Sequence, residues 1–287
     1  GFAWSPDGQR IAFLSSRDGY SEIDFDIYVM KVNEVGQSGE AVRITDGHNV
    51  DSGPSWSPDG KQIAFFTRPD GGDVSLFVVH SDGTNLTRLP VYPYNGLSPL
   101  WSPRGRHISF LSANGNELCL VDIAGALDGK ADNVSCLTRR DSSSDSDFRW
   151  MAWSPDGSQL IYTDGIGGIT IKATDGASDP RPLPTVGAGA RSGPNSISPD
   201  GLHLAYTLAG LKTRRDIWIL PMGGDRKPFP FIATAAVETN AKFSPDGRWL
   251  AYVSDESGRN ELFVVAFPGP GGKRQISSGG GRVGTWI

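Results

Sequence analysis

Acidic, amide, arginine and aromatic side chains occupy the segments that separate the repeats of this chain, at positions that the repeats do not share. They are Asp51, Tyr94, Asn95, Asp147, Arg149, Trp150, Arg191, Asn195, Glu238, Asn240 and Arg282. Mixed charge together with Tyr, Trp and Arg is the composition of hot spots in protein recognition. This set therefore predicts a surface that binds a protein or peptide partner.

Four of these side chains also carry oxygen atoms that could surround a divalent ion, namely Asp51, Asp147, Asn195 and Glu238. Oxygen ligands of this kind suit hard cations, and a bound cation can activate water or stabilise a developing negative charge. A metal-dependent lyase or hydrolase is therefore an alternative to a binding surface.

Catalytic signatures are absent from the sequence. It contains no Gly-x-Ser-x-Gly nucleophile turn, no His-Glu-x-x-His zinc motif and no Gly-x-x-x-x-Gly-Lys phosphate loop. Of the four histidines, His107 and His203 occupy equivalent strand positions, whereas His48 and His80 fall in different contexts. We therefore predict no catalytic residue, no metal and no cofactor, and interpret the chain as a non-catalytic scaffold.

A repeated turn sequence positions these side chains. Ser-Pro-x-Gly occurs six times, and successive copies are 52, 45, 52, 44 and 46 residues apart, with serines at Ser5, Ser57, Ser102, Ser154, Ser198 and Ser244. Periods of roughly 40 to 50 residues are typical of four-stranded propeller blades, whereas helical repeats are nearer 34 residues. The spacing predicts an all-β fold, a six-bladed β-propeller of four-stranded antiparallel blades.

Each repeat has the pattern of a hairpin followed by two further strands. Proline presets φ in the turn and glycine accepts a positive φ, so Ser-Pro-Asp-Gly joins two strands tightly. A β-branched and aromatic run such as Asp216-Ile217-Trp218-Ile219-Leu220 predicts the third strand, and a less apolar run such as Ala41 to Thr45 predicts an outer fourth strand.

The repeat resembles a known family. Trp-Ser-Pro-Asp-Gly at Trp4–Gly8, Trp56–Gly60 and Trp153–Gly157 is similar to the WD-like repeat of TolB-type six-bladed propellers, and the segment from Phe243 to Ser277 resembles the sensor propellers of bacterial serine/threonine kinases. The resemblance implies a partner-binding scaffold in the bacterial periplasm or another extracytoplasmic compartment. A propeller excised from such a kinase, or from a prolyl-oligopeptidase-type peptidase, is a further alternative.

Three departures from the pattern predict local irregularity. Arg104 replaces the turn aspartate of the third repeat, Ile197 replaces the aromatic residue of the fifth, and three prolines, Pro180, Pro182 and Pro184, are expected to break the outer strand of the fourth.

Composition excludes several classes of partner. The net charge of −5 comes without a basic cluster, which disfavours nucleic acid. No apolar run approaches the roughly 20 residues that a membrane-spanning helix needs. The chain has two cysteines, Cys119 and Cys136, on the expected third and fourth strands of one blade, where either a disulfide or two free thiols could occur.

The organisation predicts one propeller domain over residues 1–287, acting as a monomer. In each blade the proline turn lies at one end, which we call the turn end, and the segments that lead to the next blade lie at the other, which we call the loop end. We expect partners to bind at the loop end, around the mouth of a central channel. Val283 to Trp286 resembles a seventh copy of the segment ending at Trp4, so an excised portion of a longer protein is also consistent with the sequence.

Overall fold

The computed structural model describes residues 2–17, 25–32, 38–45, 53–68, 72–93, 98–113, 115, 117–127, 133–138, 150–164, 167–176, 178–186, 191–209, 214–269, 271–278 and 280. These residues form six four-stranded antiparallel sheets and one short helix, α1 (Ile123–Leu127). The prediction of six four-stranded propeller blades is confirmed. Among the described residues no helix has the length and apolar content needed to cross a membrane.

The four strands of each blade pair in chain order. From blade one to blade six they are β1 (Phe2–Trp4), β2 (Arg10–Ser15), β3 (Asp26–Val32), β4 (Ser38–Arg43); β5 (Ser55–Trp56), β6 (Gln62–Thr67), β7 (Ser75–His80), β8 (Thr87–Arg88); β9 (Leu100–Trp101), β10 (His107–Leu111), β11 (Leu118–Asp122), β12 (Val134–Cys136); β13 (Met151–Trp153), β14 (Gln159–Thr163), β15 (Ile169–Ala173), β16 (Arg181–Leu183); β17 (Ser192–Ile197), β18 (His203–Leu208), β19 (Asp216–Pro221), β20 (Phe229–Ile232); β21 (Glu238–Phe243), β22 (Trp249–Ser254), β23 (Glu261–Ala266) and β24 (Arg274–Gln275).

The chain divides into two compact units, Gly1–Ser142 and Ser143–Trp286, with Ile287 grouped with the first. The first unit carries blades one to three and the second carries blades four to six. Within each unit the first strands of neighbouring blades contact each other, and clusters of buried apolar side chains fill the space between those blades. A single domain over residues 1–287 stays a prediction.

The Ser-Pro-x-Gly turn joins the first and second strands of every blade. Its glycine has a positive φ, 67° at Gly60 and 74° at Gly201, a conformation that costs other residues energy. The glycine N–H donates to the serine carbonyl, at 2.9 Å from Gly60 to Ser57, and closes the turn.

The serine and aspartate side chains of the turn are satisfied internally. In blade two, the Gln62 N–H donates to Ser57 Oγ at 2.9 Å, and Ser57 Oγ donates to Asp59 Oδ1 at 2.6 Å. The Lys61 N–H also donates to Asp59 Oδ1, at 3.1 Å. The same three contacts recur in blades one, four, five and six. The repeated residues therefore hold the hairpin together.

Blade three keeps its turn without the aspartate. Arg104 stands in that place, yet the His107 N–H still donates to Ser102 Oγ at 3.0 Å and Gly105 retains a positive φ of 74°. The expected irregularity is confined to the missing carboxylate, because the serine and glycine alone preserve the backbone of the turn.

Because it occurs at the same place in nearly every repeat, the aromatic residue before the turn is expected to be largely buried between adjacent blades. Trp56, Trp101 and Phe243 are buried, with exposed fractions of 7%, 8% and 8%. Trp4 and Trp153 are only half-buried, so the prediction of burial is wrong for these two. The space around the first strand is therefore not identical in every blade.

Hydrogen bonds between backbone and side-chain groups link neighbouring blades at the same place in both units. The Trp101 N–H donates to Ser55 Oγ of blade two at 3.1 Å, and the Phe243 N–H donates to Ser196 Oγ of blade five at 3.1 Å. The Trp56 indole N–H donates to the Ala3 carbonyl at 3.0 Å. Each bond pairs an N–H donor that would otherwise lie inside the protein without a partner, which would cost free energy.

The proline-rich outer strand of blade four is present, which corrects the expectation that Pro180, Pro182 and Pro184 break it. β16 (Arg181–Leu183) pairs with β15, and Pro182 stands opposite Thr170. An edge strand tolerates proline because its missing N–H can face away from the sheet.

Cys119 and Cys136 form a disulfide that joins β11 to β12 in blade three. The two residues stand directly opposite each other, with Cys119 buried and Cys136 exposed. Of the two alternatives left by the sequence, the structure therefore shows the disulfide, which holds a three-residue outer strand against the blade.

The turn aspartates predict a loss of stability in acid. Hydrogen bonds from the turn serines lower the pKa of Asp7, Asp59, Asp200 and Asp246, in the last case to about 2. A carboxyl whose pKa is lowered on folding stabilises the protein above its unfolded pKa, near 3.9, and loses that contribution as pH falls through the folded pKa.

We expect Asp246→Asn to unfold at lower urea than the wild type at pH 7 and to lose less of its remaining stability between pH 4 and pH 2. Urea titrations at several pH values measure this. Asp225→Asn, at an exposed position outside the turns, is the control. If the free energy of unfolding of Asp246→Asn falls as steeply between pH 4 and pH 2 as that of the wild type, Asp246 does not contribute to the loss of stability in acid.

Reduction of the disulfide should destabilise the protein. For two cysteines separated by 17 positions in the sequence, the loss of chain constraint costs about 3 kcal/mol. Urea unfolding with and without reductant measures the difference. The double variant Cys119→Ala, Cys136→Ala should show no response to reductant, and equal stability of the oxidised and reduced wild type would contradict the expectation.

Candidate functional site

Five of the eleven predicted partner-binding residues lie in the described part of the chain, and all five belong to the second unit. They are Trp150, Arg191, Asn195, Glu238 and Asn240. The other six lie outside the described residues: Asp51, Tyr94, Asn95, Asp147, Arg149 and Arg282.

Trp150 and Arg191 lie beside the first strands of blades four and five. The Trp150 indole packs on the backbone of Gly193 so closely that a methyl group there would be 2.6 Å from indole carbon Cδ2. Trp150 is half-buried, whereas Arg191 is exposed and its carbonyl accepts the Ala209 N–H at 3.0 Å. A fixed aromatic surface and an exposed guanidinium therefore occur at the loop end of these two blades.

Asn195 is a structural residue. It lies within β17 rather than in a loop, and it is buried with an exposed fraction of 6%. Its Oδ1 accepts the Thr207 hydroxyl at 2.7 Å, and its backbone carbonyl accepts Lys242 Nζ of blade six at 2.9 Å. The placement of Asn195 in a binding loop is therefore corrected.

Glu238 is the first residue of β21 and is completely buried. One carboxyl oxygen accepts the Thr234 hydroxyl, whereas Oε2 is buried and has no hydrogen-bond partner among the described residues. Burial raises the pKa of this carboxyl, and the carboxylates of Asp216 and Glu256 raise it further, against the lowering effect of Thr234. The side chain is inside the blades, so its placement in a loop is also corrected.

Asn240 is exposed and occupies an irregularity in β21. Its φ of 57° is left-handed, and the register between β21 and β22 shifts between Thr239 and Lys242. Asparagine tolerates this conformation better than most residues. The bulge carries a polar side chain to the surface near the loop end of blade six.

The described residues contain one group whose side chains could be metal ligands by distance: Glu117, Cys119 and Cys136, whose candidate ligand atoms lie within 4.8 Å of one another. Both sulfur atoms belong to the disulfide, so this group cannot ligate a metal in the oxidised protein. Of the four residues of the alternative metal centre, Asp51 and Asp147 lie outside the described residues. Asn195 Oδ1 accepts the Thr207 hydroxyl, and Glu238 is buried with one carboxyl oxygen bonded to Thr234.

Two surface depressions lie at the turn end. One of about 400 Å³ in the first unit is lined by residues of blades one and two, including Arg10, Gly60, Lys61 and Ser81. One of about 320 Å³ in the second unit is lined by residues of blades four and five. No residue of the turn end is among the predicted site residues. Gln159 and Ile197, which stand where Arg10 and Trp56 stand in blades one and two, are the sequence signal for a difference at this end.

The sequence matches known propellers over most of its length. The family model described as TolB beta propeller domain matches residues 2–178. An uncharacterised protein of Agrobacterium fabrum is 29% identical over 169 residues, covering 55% of this chain and 52% of that protein. Dipeptidyl-peptidase 5 of Porphyromonas gingivalis is 34% identical over 132 residues, covering 42% of this chain and 19% of the peptidase.

The fold is shared with solved structures. TolB from Acinetobacter baumannii superposes with a TM-score of 0.69 at 20% identity, covering 96% of this chain and 65% of that one. The chain thus spans about half the length of the Agrobacterium relative and less than a fifth of the peptidase. Since the family model covers more than half of the chain, the protein belongs to the TolB β-propeller domain family.

Proposed function

We propose that this protein is a non-catalytic propeller module that binds a protein or peptide partner through the loop end of its blades. The observation that carries the proposal is the contrast between the two ends. At the turn end the repeated serines and aspartates bond to their own hairpins, as Ser57 and Asp59 do. At the loop end of the second unit, Arg191 and Asn240 are exposed and Trp150 is half-buried.

These three side chains have the chemistry of a recognition surface. Arginine and tryptophan anchor many interfaces, and an aromatic ring already fixed by packing loses little entropy on binding. Trp150 is fixed in this way against Gly193. The buried Asn195 and Glu238 support the backbone of the same strands instead of contacting the partner.

The proposed compartment is extracytoplasmic. The Cys119–Cys136 disulfide supports it, because such bonds persist in oxidising compartments and are rare in the cytosol. Membership of the TolB β-propeller domain family is consistent with the same compartment and with a protein partner, as the resemblance of the repeat implies.

A second candidate function rests on the similarity to dipeptidyl-peptidase 5. In that case the chain is the propeller portion of a longer peptidase, and the loop end would face peptide substrates. Peptidase activity in the full-length protein, abolished by removal of a region outside these blades, would favour this candidate over the non-catalytic module.

Site-specific photocrosslinking tests which end binds the partner. We expect a photoreactive p-benzoylphenylalanine at position 191 to crosslink a partner protein in cells that produce the full-length protein. The same residue at position 61, where Lys61 is exposed at the turn end, is the matched control. Adducts formed from position 61 alone would contradict the proposal.

The crosslinked partner then permits an affinity measurement. Arg191→Ala should weaken its binding about tenfold, equal to about 1.4 kcal/mol, because an exposed anchoring guanidinium is lost. Lys61→Ala should change neither the affinity nor the melting temperature. Isothermal titration calorimetry provides the comparison, and equal affinities of wild type and Arg191→Ala would exclude Arg191 as an anchor.

A further inference from the structure

Within the two units, three of the four pairs of neighbouring blades have turns that touch through a proline and a glycine, and blades four and five are the exception. A methyl group placed on the glycine would lie 3.5 to 3.8 Å from the δ-carbon of the preceding turn's proline in the pairs Pro6–Gly60, Pro58–Gly105 and Pro199–Gly247. At Gly201 of blade five nothing, Pro155 included, lies within 4 Å of such a methyl group. The two turns of blades four and five are therefore separated by an open groove.

The matching place between blades one and two shows which chemical group this part of the fold binds. The Arg10 guanidinium crosses from blade one and donates to the Gly60 carbonyl at 2.8 Å and to Ser81 Oγ at 2.9 Å. It lies 4.9 Å from the centre of the Trp56 ring and 3.6 Å from the Asp7 carboxylate. The contacts combine a carbonyl acceptor, an apolar surface and a carboxylate.

Blades four and five keep the carbonyl and the carboxylates but lack the arginine. By strand register Gln159 stands where Arg10 stands, Gly201 corresponds to Gly60, and Met222 corresponds to Ser81. Ile197 replaces the tryptophan. Among the described residues, neither the Gln159 side chain nor the Gly201 carbonyl has a hydrogen-bond partner.

The two depressions differ in the basic residues that line them. The depression of the first unit is lined by Arg10, Lys61 and His80 together with two acidic residues, Asp59 and Asp82. The depression of the second unit is lined by two charged residues, Asp156 and Asp200, and both are acidic. Asp200 Oδ1 accepts the Ser198 hydroxyl and the Leu202 N–H, whereas Oδ2 has no hydrogen-bond partner among the described residues.

We propose that the groove between the turns of blades four and five binds an arginine side chain of a protein or peptide partner. The guanidinium bonds to the Gly201 carbonyl and the Asp200 carboxylate, and its methylene stem covers Ile197 and Met222. Guanidinium groups favour such sites because they form charge-assisted hydrogen bonds while stacking on apolar surface. This second surface lies at the turn end and does not depend on the loop-end proposal.

Nuclear magnetic resonance titration with the peptide acetyl-Gly-Arg-Gly-amide tests the proposal. We expect saturable shifts of the Gly201 and Met222 amide signals and of the Gln159 side-chain amide. The matched peptide with norleucine in place of arginine keeps the stem without the charge and should bind at least tenfold more weakly. Free arginine should also bind more weakly, because its α-carboxylate would lie near the carboxylates of Asp156 and Asp200.

Two variants fix the location of the site. Gln159→Arg supplies the internal guanidinium that blade one already has, and should weaken peptide binding at least fivefold. Asp200→Asn keeps one oxygen that can accept the Ser198 hydroxyl and the Leu202 N–H but removes the negative charge. It should also weaken peptide binding at least fivefold. Asp59→Asn, the equivalent change in the first unit, should leave binding unchanged, and melting temperatures show that each variant folds.

Absence of a saturable shift at Gly201, or equal binding by the wild type and both groove variants, overturns the proposal. Binding of the norleucine peptide as tight as that of the arginine peptide overturns it as well, because the groove would then recognise only apolar surface. Free arginine binding more tightly than the peptide would replace a protein partner with a small molecule and also contradict the proposal as stated.

Discussion

The hydroxyl of the turn serine is the interaction on which each blade depends. It accepts a backbone N–H from the start of the second strand and donates to the aspartate carboxylate, as in Ser57 with Gln62 and Asp59. These bonds fix where the hairpin reverses, and the register of the strands follows from that point. Strand register in turn decides which side chains face the neighbouring blade and which end of the blade stays free for a partner.

A second hydrogen bond, close to the turn, joins neighbouring blades within a unit. A serine before the aromatic position accepts the backbone N–H of the next blade, in Ser55 with Trp101 and in Ser196 with Phe243. Both the turn and this link use short polar side chains that bond to groups inside the fold. We therefore propose that residues that differ between blades, such as Arg191 at the loop end, contribute to recognition.

The fold was predictable because the residues that determine it, those of the Ser-Pro-x-Gly turn, are close together in the sequence and occur in every blade. Six Ser-Pro-x-Gly turns at near-constant spacing determine the number of blades, and glycine at the left-handed position makes each turn specific. The burial of Asn195 and Glu238 was not predictable in this way. Bulges between Pro194 and Ser196 and between Thr239 and Lys242 lie in strands that extend further toward the loop end than the repeat indicates.

A second feature that the sequence did not predict is a hydrogen bond from a side chain of one blade to the turn of the next. Arg10 follows its own turn by two residues but bonds to the turn of the next blade, a contact between residues about 50 positions apart. Only a comparison of one blade with its neighbour reveals that Gln159 leaves the corresponding acceptors of blade five without a guanidinium. A difference such as Gln159 therefore has no effect on the turn of its own blade but changes which groups contact the turn of the next blade.

The central claim is that the turn serines serve the fold and that the non-repeated residues at the loop end serve recognition. The most direct test measures melting temperature and affinity for the crosslinked partner in the same variants, Ser57→Ala, Ser198→Ala and Arg191→Ala. We expect the two serine variants to melt several degrees lower while binding normally, and Arg191→Ala to melt normally while binding about tenfold more weakly. The claim would be contradicted if all three variants had both a lower melting temperature and a lower affinity for the partner.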